Sequence, residues 1–285
     1  MTEPVTLYEV SPRDGLQNEA RQVPTADKIR LVDQLSACGF AHIEVTSFVS
    51  PKWVPQMADA ADVMAGITRR PGTGYAALTP NLQGLERALL AKADEVAVFA
   101  SASESFSQKN INCSIAESLD RFRPLLERAT EQGVPVRGYV SCVTDCPYEG
   151  PVAPDAVATV ASALHDMGCH QISLGDTIGH GTPDTIGRML DAVLAVLPAD
   201  RLAGHYHDTG GMALRNIAVS LDRGLRAFDG SVGGLGGCPY APGAKGNVAT
   251  EAVAAFLEAE GFATGLDLDR LAHVARFAQS LRTPA

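Results

Sequence analysis

The chain has 285 residues, of which 46% are hydrophobic, and its 33 acidic and 23 basic residues give a net charge of −10. A sequence this apolar has enough material for a large core, which excludes general disorder. The acidic balance argues against broad nucleic-acid binding, which depends on clustered lysine and arginine. The length allows one or two domains, and a few local cations would still suffice to bind an anionic small molecule.

No targeting signal is visible in the sequence. The segment MTEPVTLYEVSPRDG has neither the basic nor the apolar stretch of a signal peptide, and no apolar run reaches the roughly 18 residues of a membrane span. The six cysteines, at positions 38, 113, 142, 146, 169 and 238, match neither a small disulfide framework nor zinc-finger spacing. We therefore expect free thiols, a cytoplasmic location, and no membrane or nucleic-acid partner.

Short apolar runs rich in β-branched residues alternate with longer amphipathic stretches. In chain order the strand-like runs are VTLYEV (5–10), HIEVTSF (42–48), GYAALT (74–79), EVAVFAS (95–101), VRGYVSC (136–142), HQISLG (170–175), AGHYHD (203–208) and RAFDGSV (226–232). The periodicity predicts helices within 25–39, 117–133 and 154–168, with Thr25 capping the first. This alternation is typical of βα repeats.

Eight strands that alternate with helices predict a closed parallel barrel, with a doubly wound open sheet as the competing architecture. Polar residues such as Asp14, Asp176 and His205 come at or near the ends of different strands, rather than at one switch point. In a barrel these ends meet at one mouth, where active sites are built. We therefore predict an α/β fold of the (β/α)8 TIM-barrel type.

No linker or change of composition suggests a second domain. The prediction is a single domain over residues 1–285, with the barrel at about 5–250 and C-terminal helices at about 248–283. These helices correspond to the apolar stretches that begin at Val248 and Asp267.

Two histidines one residue apart, His205 and His207, indicate a binding site. Residues i and i+2 of a strand point to the same side, so both imidazoles face one way, with Cα atoms roughly 6–7 Å apart. They can converge on one cation, although exposed or otherwise hydrogen-bonded histidines fit the same pattern. Asp14 and Asn247 are the candidate oxygen ligands, with a turn residue before Gly15 as the alternative for Asp14. This donor set suits Mg²⁺ or Mn²⁺ better than thiolate-rich zinc coordination.

Arg13, beside Asp14, is a candidate for stabilising an oxyanion, because a guanidinium keeps its charge and offers directed donors. A salt bridge to Glu44 or Asp176 is the alternative, and both roles are compatible. Glu44 lies in the apolar run HIEVTSF, and a carboxylate inside a barrel is costly unless it is paired. We expect Glu44 to point inward and orient Arg13; the alternative is that Glu44 and Ser47 face opposite ways and only one lies inside.

A Gly-rich segment, VGGLGGCPYAPGAKGN, follows the last strand and contains Cys238. Its glycines allow the loop to move and to approach a ligand closely. A thiol on such a loop can deliver a proton or attack an electrophile, and a buried inert cysteine is the alternative. Lys52, Lys109 and Lys245 lie in loops and are candidates for phosphate contacts, with solvated lysines as the alternative.

Several longer motifs carry a family resemblance. They are SPRDGLQNE, IEVTSFVSPKWVPQMAD, LTPNLQG, NINCS, VRGYVSC, CPYEG, ISLGDTIG, HYHDT and GGLGGCPYAPGAKGNVATE. From about Tyr8 to Glu251 the chain closely resembles the 3-hydroxy-3-methylglutaryl-CoA (HMG-CoA) lyase family. That family belongs to a wider group of barrels that includes isopropylmalate and homocitrate synthases, and the SFVSPKWVPQ and GGLGGCPYA segments favour the lyase branch.

The resemblance implies metal-dependent retro-Claisen cleavage of HMG-CoA to acetyl-CoA and acetoacetate. It further implies a homodimer, an Mg²⁺ or Mn²⁺ cofactor, an acyl-CoA substrate and a place in leucine degradation. By the same resemblance, the cation ligands are Asp14, His205, His207 and Asn247, and the catalytic residues are Arg13, Asp14, Glu44, His205 and Cys238. The implied substrate contacts are Arg13, Gln17, Ser47, Arg137, Tyr139, Ser173 and Asp176, with Lys109 and Asn110 near the CoA nucleotide. The general base, Asp14 or a histidine, stays open.

The chain departs from the usual family pattern at Tyr206, Gly210, Met212 and Lys245. Because the implied catalytic residues are all present, these departures bear on substrate choice and leave a related 3-hydroxyacyl-CoA as an alternative substrate. A Claisen-type condensing enzyme of the same barrel group is a second alternative. A non-catalytic CoA-binding protein is a third, against which the retention of Arg13 and Cys238 argues.

Overall fold

The computed structural model describes residues 2–236 and 246–282. Eight strands in these residues form a closed barrel, and the strand pairs whose register is defined are parallel. The strands are β1 (Thr6–Glu9), β2 (His42–Ser47), β3 (Gly74–Leu78), β4 (Glu95–Ser101), β5 (Val136–Ser141), β6 (Gln171–Asp176), β7 (Leu202–Tyr206) and β8 (Ala227–Gly230). Their order, β7-β8-β1-β2-β3-β4-β5-β6, confirms the predicted (β/α)8 barrel and excludes the doubly wound sheet.

Helices connect and follow the barrel strands. They are α1 (Thr25–Ser36), α2 (Ala60–Gly66), α3 (Leu82–Leu90), α4 (Glu104–Ile111), α5 (Ile115–Glu131), α6 (Pro154–Asp166), α7 (Pro183–Leu194), α8 (Ala213–Asp222), α9 (Thr250–Ala259) and α10 (Leu268–Ser280). None of the helices in the described residues combines the length and the apolar character needed to cross a membrane.

The N-terminus of α1 differs from the sequence prediction. Thr25 is the first helical residue and Pro24 precedes it, without a side-chain cap. The Thr25 hydroxyl instead donates to Oδ2 of Asp59 at 2.7 Å. The expected cap is therefore wrong, because a tertiary partner uses the hydroxyl that would have bonded the free N–H groups of the first turn.

Contacts between Cα atoms divide the chain into two compact units. Unit one is Met1–Thr79, Gln83–Val96 and Asp229–Ala285, and unit two is Pro80–Leu82 and Ala97–Phe228. The single domain over 1–285 stays a prediction.

In unit one, α1 packs on α2 and α10, and α10 packs on α9. Leu31, Val32 and Leu35 of α1 are fully buried, as the i, i+1, i+4 spacing of an amphipathic helix requires. Burial of each such side chain contributes about 1.5–3 kcal/mol. A short parallel pair, Glu3–Pro4 with Phe262–Ala263, ties the N-terminal segment to the segment before α10.

In unit two, the strand register defines successive levels. Tyr139 of β5 lies level with Ser173 of β6, and Ser173 lies level with Ala203 of β7. Two residues further along, Gly175 lies level with His205. The helices α6, α7 and α8 pack in sequence along this unit.

Candidate active site

A tight turn, Ser11–Gly15, follows β1 and has π-helical hydrogen bonding. The carbonyl oxygen of Val10 accepts from the backbone N–H groups of Arg13 at 3.2 Å, Asp14 at 2.8 Å and Gly15 at 3.2 Å. A Cβ on Gly15 would lie 2.8 Å from Cβ of Leu235, so only glycine fits this close approach. The turn thus fixes Arg13 and Asp14 just beyond the C-terminal end of β1.

The Arg13 guanidinium lies between two carboxylates. Its Nε donates to Oε2 of Glu44 at 2.7 Å, Nη2 lies 2.6 Å from the same oxygen, and Nη1 donates to Oδ1 of Asp14 at 2.5 Å. The side chains of Arg13 and Glu44 are 7% and 0% exposed. The expectation that Glu44 points inward and orients Arg13 agrees with these contacts.

A β-bulge in β2 affects the choice between Glu44 and Ser47. The register with β3 shifts between Glu44 and Thr46, and an inserted residue interrupts the two-residue alternation of a strand. Both Glu44 and Ser47 are fully buried, and Oγ of Ser47 donates to the carbonyl of Leu78 at 3.4 Å. Because the bulge interrupts the alternation, Glu44 and Ser47 need not face opposite sides of the strand.

Asp14 has further partners in unit one. Nδ2 of Asn247 donates to its Oδ2 at 2.6 Å, and Nε2 of Gln17 donates to its Oδ1 at 3.3 Å. Asn247 thus presents its amide nitrogen, and not its oxygen, to Asp14.

Glu9, at the end of β1, is a buried carboxylate that the sequence analysis did not single out. Its Oε1 accepts from the backbone N–H groups of Ser11 at 2.9 Å and Val232 at 3.0 Å. Its Oε2 accepts from the Thr250 hydroxyl at 2.7 Å. Burial raises the pKa of Glu9 to about 7, against the opposing effect of these donors. The signal was available, because Glu9 interrupts an apolar strand just as Glu44 does.

In unit two, His205 is 9% exposed and His207, one residue beyond β7, is half-buried. Their ring centroids lie 5.4 Å apart, consistent with the predicted same-side orientation. The ring of Tyr139 meets that of His205 edge-on, with centroids 6.1 Å apart and an 80° angle between the planes. Tyr139 therefore restricts the orientation of the His205 imidazole.

Asp14 of unit one offers a carboxylate oxygen as a possible ligand atom, and His205 and His207 of unit two each offer an imidazole nitrogen. One carboxylate and two imidazoles are donors that a divalent cation accepts. The residues present therefore fit such an ion.

The predicted substrate contacts of unit two lie at different levels along the barrel strands. Arg137 is fully buried, donates to Tyr139 Oη at 3.0 Å and Gln171 Oε1 at 2.9 Å, and lies level with Gln171. Because Ser141 lies level with Gly175, Arg137 is roughly 13 Å below the level of His205, at 3.3 Å per residue. Arg137 thus supports Tyr139, whereas Ser173 lies directly beside Tyr139 in the register.

Asp176, at the end of β6, is fully buried. Its Oδ2 accepts from the backbone N–H of Gly181 at 2.9 Å and its Oδ1 from the Thr144 hydroxyl at 3.2 Å. Burial raises the pKa of Asp176, while these hydrogen bonds act in the opposite direction. Asp176 therefore holds the loop after β6 in place.

The family departure Tyr206 faces away from His205, as strand alternation requires. It is 1% exposed, and its hydroxyl lies 2.8 Å from Oγ of Ser220 on α8. A Cβ at Gly204 would lie 2.8 Å from the Tyr206 ring, so the glycine makes room for it. These contacts assign Tyr206 to packing between β7 and α8.

Other predicted residues lie outside the described part of the chain or on its surface. Cys238 and Lys245 fall in 237–245, outside the described residues. Lys109 and Asn110 are exposed on α4. The remaining cysteines, at 38, 113, 142, 146 and 169, are buried free thiols. Burial raises the pKa of Cys38 and Cys169 to about 12, which makes both poor nucleophiles.

These features define a (β/α)8-barrel protein with candidate cation ligands among the residues at or just beyond its strand ends. The chain belongs to the HMGL-like family, whose profile matches residues 4–278. It is 60% identical over 267 residues to a 3-hydroxy-3-isohexenylglutaryl-CoA/hydroxy-methylglutaryl-CoA lyase of Pseudomonas aeruginosa, covering 94% of this chain and 89% of that protein.

Solved structures give the same result. The HMG-CoA lyase of Brucella melitensis superposes with a TM-score of 0.97 at 64% identity, covering 98% of this chain and 99% of that one. An HMG-CoA lyase of Acinetobacter baumannii, in complex with coenzyme A and 3-methylmalate, has a TM-score of 0.93 at 38% identity and covers 99% and 93%.

Proposed function

We propose that this protein is an acyl-CoA lyase that cleaves HMG-CoA to acetyl-CoA and acetoacetate. The observation that carries the proposal is the buried Arg13 guanidinium, held by Glu44 and beside Asp14. Relatives at 60% and 64% identity named for this activity support the same reaction.

The reaction breaks a C–C bond next to a tertiary alcohol. The substrate hydroxyl loses its proton, the electron pair of the broken bond moves to the thioester as an enolate, and the enolate carbon takes up a proton to give acetyl-CoA. The Arg13 guanidinium supplies a fixed positive charge for the enolate oxygen. Glu44 holds that guanidinium in one orientation, so that little reorganisation is needed when the charge develops.

A divalent cation held by Asp14, His205 and His207, with Asn247 as a further candidate ligand, would supply the Lewis acidity that lowers the pKa of the substrate hydroxyl. The donor chemistry supports Mg²⁺ or Mn²⁺. Asp14 or one of the histidines takes the hydroxyl proton in this proposal. Cys238 donates the proton that completes acetyl-CoA, by its position in the family motif GGLGGCPYA.

Substrate contacts are assigned on the same basis. Gln17, Ser47, Tyr139 and Ser173 contact the acyl part in this proposal, and Lys109 and Asn110 contact the CoA nucleotide. Two of the predicted contacts make hydrogen bonds within the protein instead. Arg137 donates to Tyr139, which favours a role in supporting Tyr139, and Asp176 accepts from Gly181, which favours a role in holding the loop after β6.

A second candidate substrate is favoured by one relative. The Pseudomonas aeruginosa protein is named for 3-hydroxy-3-isohexenylglutaryl-CoA as well as for the methyl compound. A longer apolar group at C3 would leave the bond-breaking chemistry unchanged. We therefore include the isohexenyl homologue as an alternative substrate of the same reaction.

The remaining family expectations are also proposals: one catalytic domain over 1–285, a homodimer, a cytoplasmic location and a place in leucine degradation. They rest on the resemblance and on the composition of the chain.

The experiment is a comparison of initial rates for HMG-CoA and its 3-isohexenyl homologue, each with Mg²⁺, Mn²⁺ or EDTA. The proposal predicts cleavage of HMG-CoA with either metal and loss of activity in EDTA. Cleavage of the homologue alone would show that the homologue, and not HMG-CoA, is the substrate. Full activity in EDTA would contradict the proposed role of the metal.

A further inference from the structure

Glu9 lies where three segments of unit one meet. Ser11 begins the turn that contains Arg13 and Asp14, Val232 begins the short helical turn Val232–Gly234, and Thr250 is the first residue of α9. The fully buried carboxylate of Glu9 hydrogen-bonds all three. One side chain therefore links the Arg13–Asp14 turn to the start of the Gly-rich segment.

The chemistry of these contacts requires an acceptor at position 9. Oε1 accepts two backbone N–H groups at once, and an apolar side chain would leave both donors buried without their acceptor. Glutamine has the same shape, and its amide oxygen can accept both N–H groups while its NH₂ donates to Thr250. The contacts thus need the oxygen, and they do not need the negative charge.

The packing around this link leaves little room for adjustment. Gly15 approaches Leu235 and Ser231 so closely that a Cβ would lie 2.8 Å from each. A Cβ on Gly236 would lie 2.9 Å from Nδ2 of Asn247 and 3.2 Å from the backbone oxygen of Asp14. A shift of residues 231–236 would therefore displace both the Asp14 turn and Asn247.

We propose that Glu9 is a positioning residue for the reaction, which fixes the Arg13–Asp14 turn against the segment that begins at Val232. The inference rests on the proposed function, because it assigns Glu9 to the placement of the enolate-stabilising guanidinium and of the Asp14 carboxylate. Glu9 itself touches no substrate. It acts through the backbone N–H groups of Ser11 and Val232 and through the Thr250 hydroxyl.

The test compares Glu9→Gln, Glu9→Ala and Thr250→Val in the full chain. Since misplacement of a catalytic group by 1 Å costs about 100-fold, we expect Glu9→Ala to lower kcat about 100-fold while KM stays within about threefold. Glu9→Gln should restore kcat to within about fivefold of the unmodified protein, because it keeps the oxygen acceptor. Thr250→Val, which removes only the contact to Oε2, should fall between them.

A matched control separates positioning from loss of stability. Leu85→Ala creates a cavity at a fully buried position of α3, in unit one and outside the Glu9 contacts. It should lower Tm, as Glu9→Ala does, without the loss of kcat. If Leu85→Ala and Glu9→Ala lose kcat equally at equal Tm loss, or if Glu9→Gln is as inactive as Glu9→Ala, the proposal is overturned.

Calorimetric titration with Mn²⁺ provides a readout that does not need turnover. We expect Glu9→Ala to raise the Mn²⁺ Kd about tenfold, because Asp14 shifts with the turn, and Glu9→Gln to match the unmodified protein. If the unmodified protein binds Mn²⁺ but does not cleave HMG-CoA, HMG-CoA is excluded as the substrate. The Mn²⁺ Kd values of the variants still test whether Glu9 positions the Asp14 turn. If Glu9→Ala does not fold, Thr250→Val and Glu9→Gln test the role of Glu9. Positioning by hydrogen bonds would be contradicted if Thr250→Val leaves kcat and the Mn²⁺ Kd unchanged while Glu9→Gln lowers kcat and raises the Kd.

Discussion

The Arg13 guanidinium and the Glu44 carboxylate form a buried ion pair, with Nη2 2.6 Å and Nε 2.7 Å from the same oxygen, Oε2. The remaining terminal nitrogen, Nη1, contacts Asp14. Burial of such a pair is costly unless its geometry is good and its other donors are satisfied. In this protein the pair gives the guanidinium a fixed direction, as the proposed stabilisation of an enolate oxygen requires.

Replacement of Arg13 by lysine should abolish most of the activity. Lysine keeps the charge but cannot contact Glu44 and Asp14 with a planar set of donors. We expect kcat to fall by about 10²–10³-fold with a much smaller change in KM, measured by steady-state rates of acetoacetate formation. A kcat within threefold of the unmodified protein would show that charge alone, without direction, is sufficient.

Replacement of His205 by alanine should weaken metal dependence. Removal of this imidazole takes away one of the proposed ligands of the cation. We expect the Mn²⁺ Kd to rise at least about tenfold, measured by calorimetric titration. His273 on α10 is exposed, so His273→Ala is the matched control and should leave the Kd unchanged. Equal Kd values in both variants would rule out His205 as a ligand.

Replacement of Cys238 by serine should chiefly lower kcat. A hydroxyl is a much weaker acid than a thiol, so protonation of the enolate slows, whereas substrate binding needs no thiol. We expect a loss of about 10²–10³-fold in kcat and little change in KM. Cys169→Ser is the control for a general effect of thiol loss, and it should affect Tm more than kcat because Cys169 is buried. A Cys238→Ser protein with normal kcat would remove the thiol from the mechanism.

Tyr206→Phe should leave substrate preference unchanged. The Tyr206 hydroxyl contacts Ser220, so its removal should cost about 1 kcal/mol in the free energy of unfolding, the usual value of one hydrogen bond. Chemical denaturation measures the stability, and the ratio of kcat/KM for HMG-CoA and its isohexenyl homologue measures the preference. A ratio that changes more than threefold would contradict the packing role.

The buried carboxylate of Glu9 predicts a pH dependence of stability. Its pKa is about 7 in the folded protein against an ordinary 4.5, so the folded protein binds this proton more tightly than the unfolded chain does. The resulting stabilisation is fully present below about pH 4.5 and is lost as the pH rises to about 7, a change of about 3 kcal/mol. Glu9→Gln lacks this group and should gain stability relative to the unmodified protein by that amount between pH 4.5 and 7.5. If the free energies of unfolding of Glu9→Gln and the unmodified protein differ by the same amount at pH 4.5 and at pH 7.5, the raised pKa of Glu9 is contradicted.

Much of the fold followed from the sequence because strands and helices have distinct periods. All eight barrel strands were predicted, although most of the predicted runs extended one or two residues beyond the strand. The cap of α1 was wrong because the Thr25 hydroxyl has a tertiary partner, Asp59, which local pattern cannot identify. The bulge after Glu44 was likewise not predictable from alternation, since a bulge is a property of strand pairing.

The site was less accessible to sequence reasoning than the fold. Glu44 was expected to orient Arg13 because a carboxylate within an apolar barrel strand is costly unless it is paired, and the two side chains do form an ion pair. The depth of Arg137 and the outward packing of Tyr206 depend on register and helix packing, which a motif does not contain. Glu9 was missed although it stands in an apolar strand, because its partners at Val232 and Thr250 are more than 200 residues away in the chain.

Mass balance of the reaction tests the central claim most directly. Purified protein with Mn²⁺ and a known amount of HMG-CoA should yield acetyl-CoA and acetoacetate in equal amounts, each matching the HMG-CoA consumed. HMG-CoA recovered intact, or consumed without these two products in equal amounts, would contradict the assignment of retro-Claisen cleavage to this site.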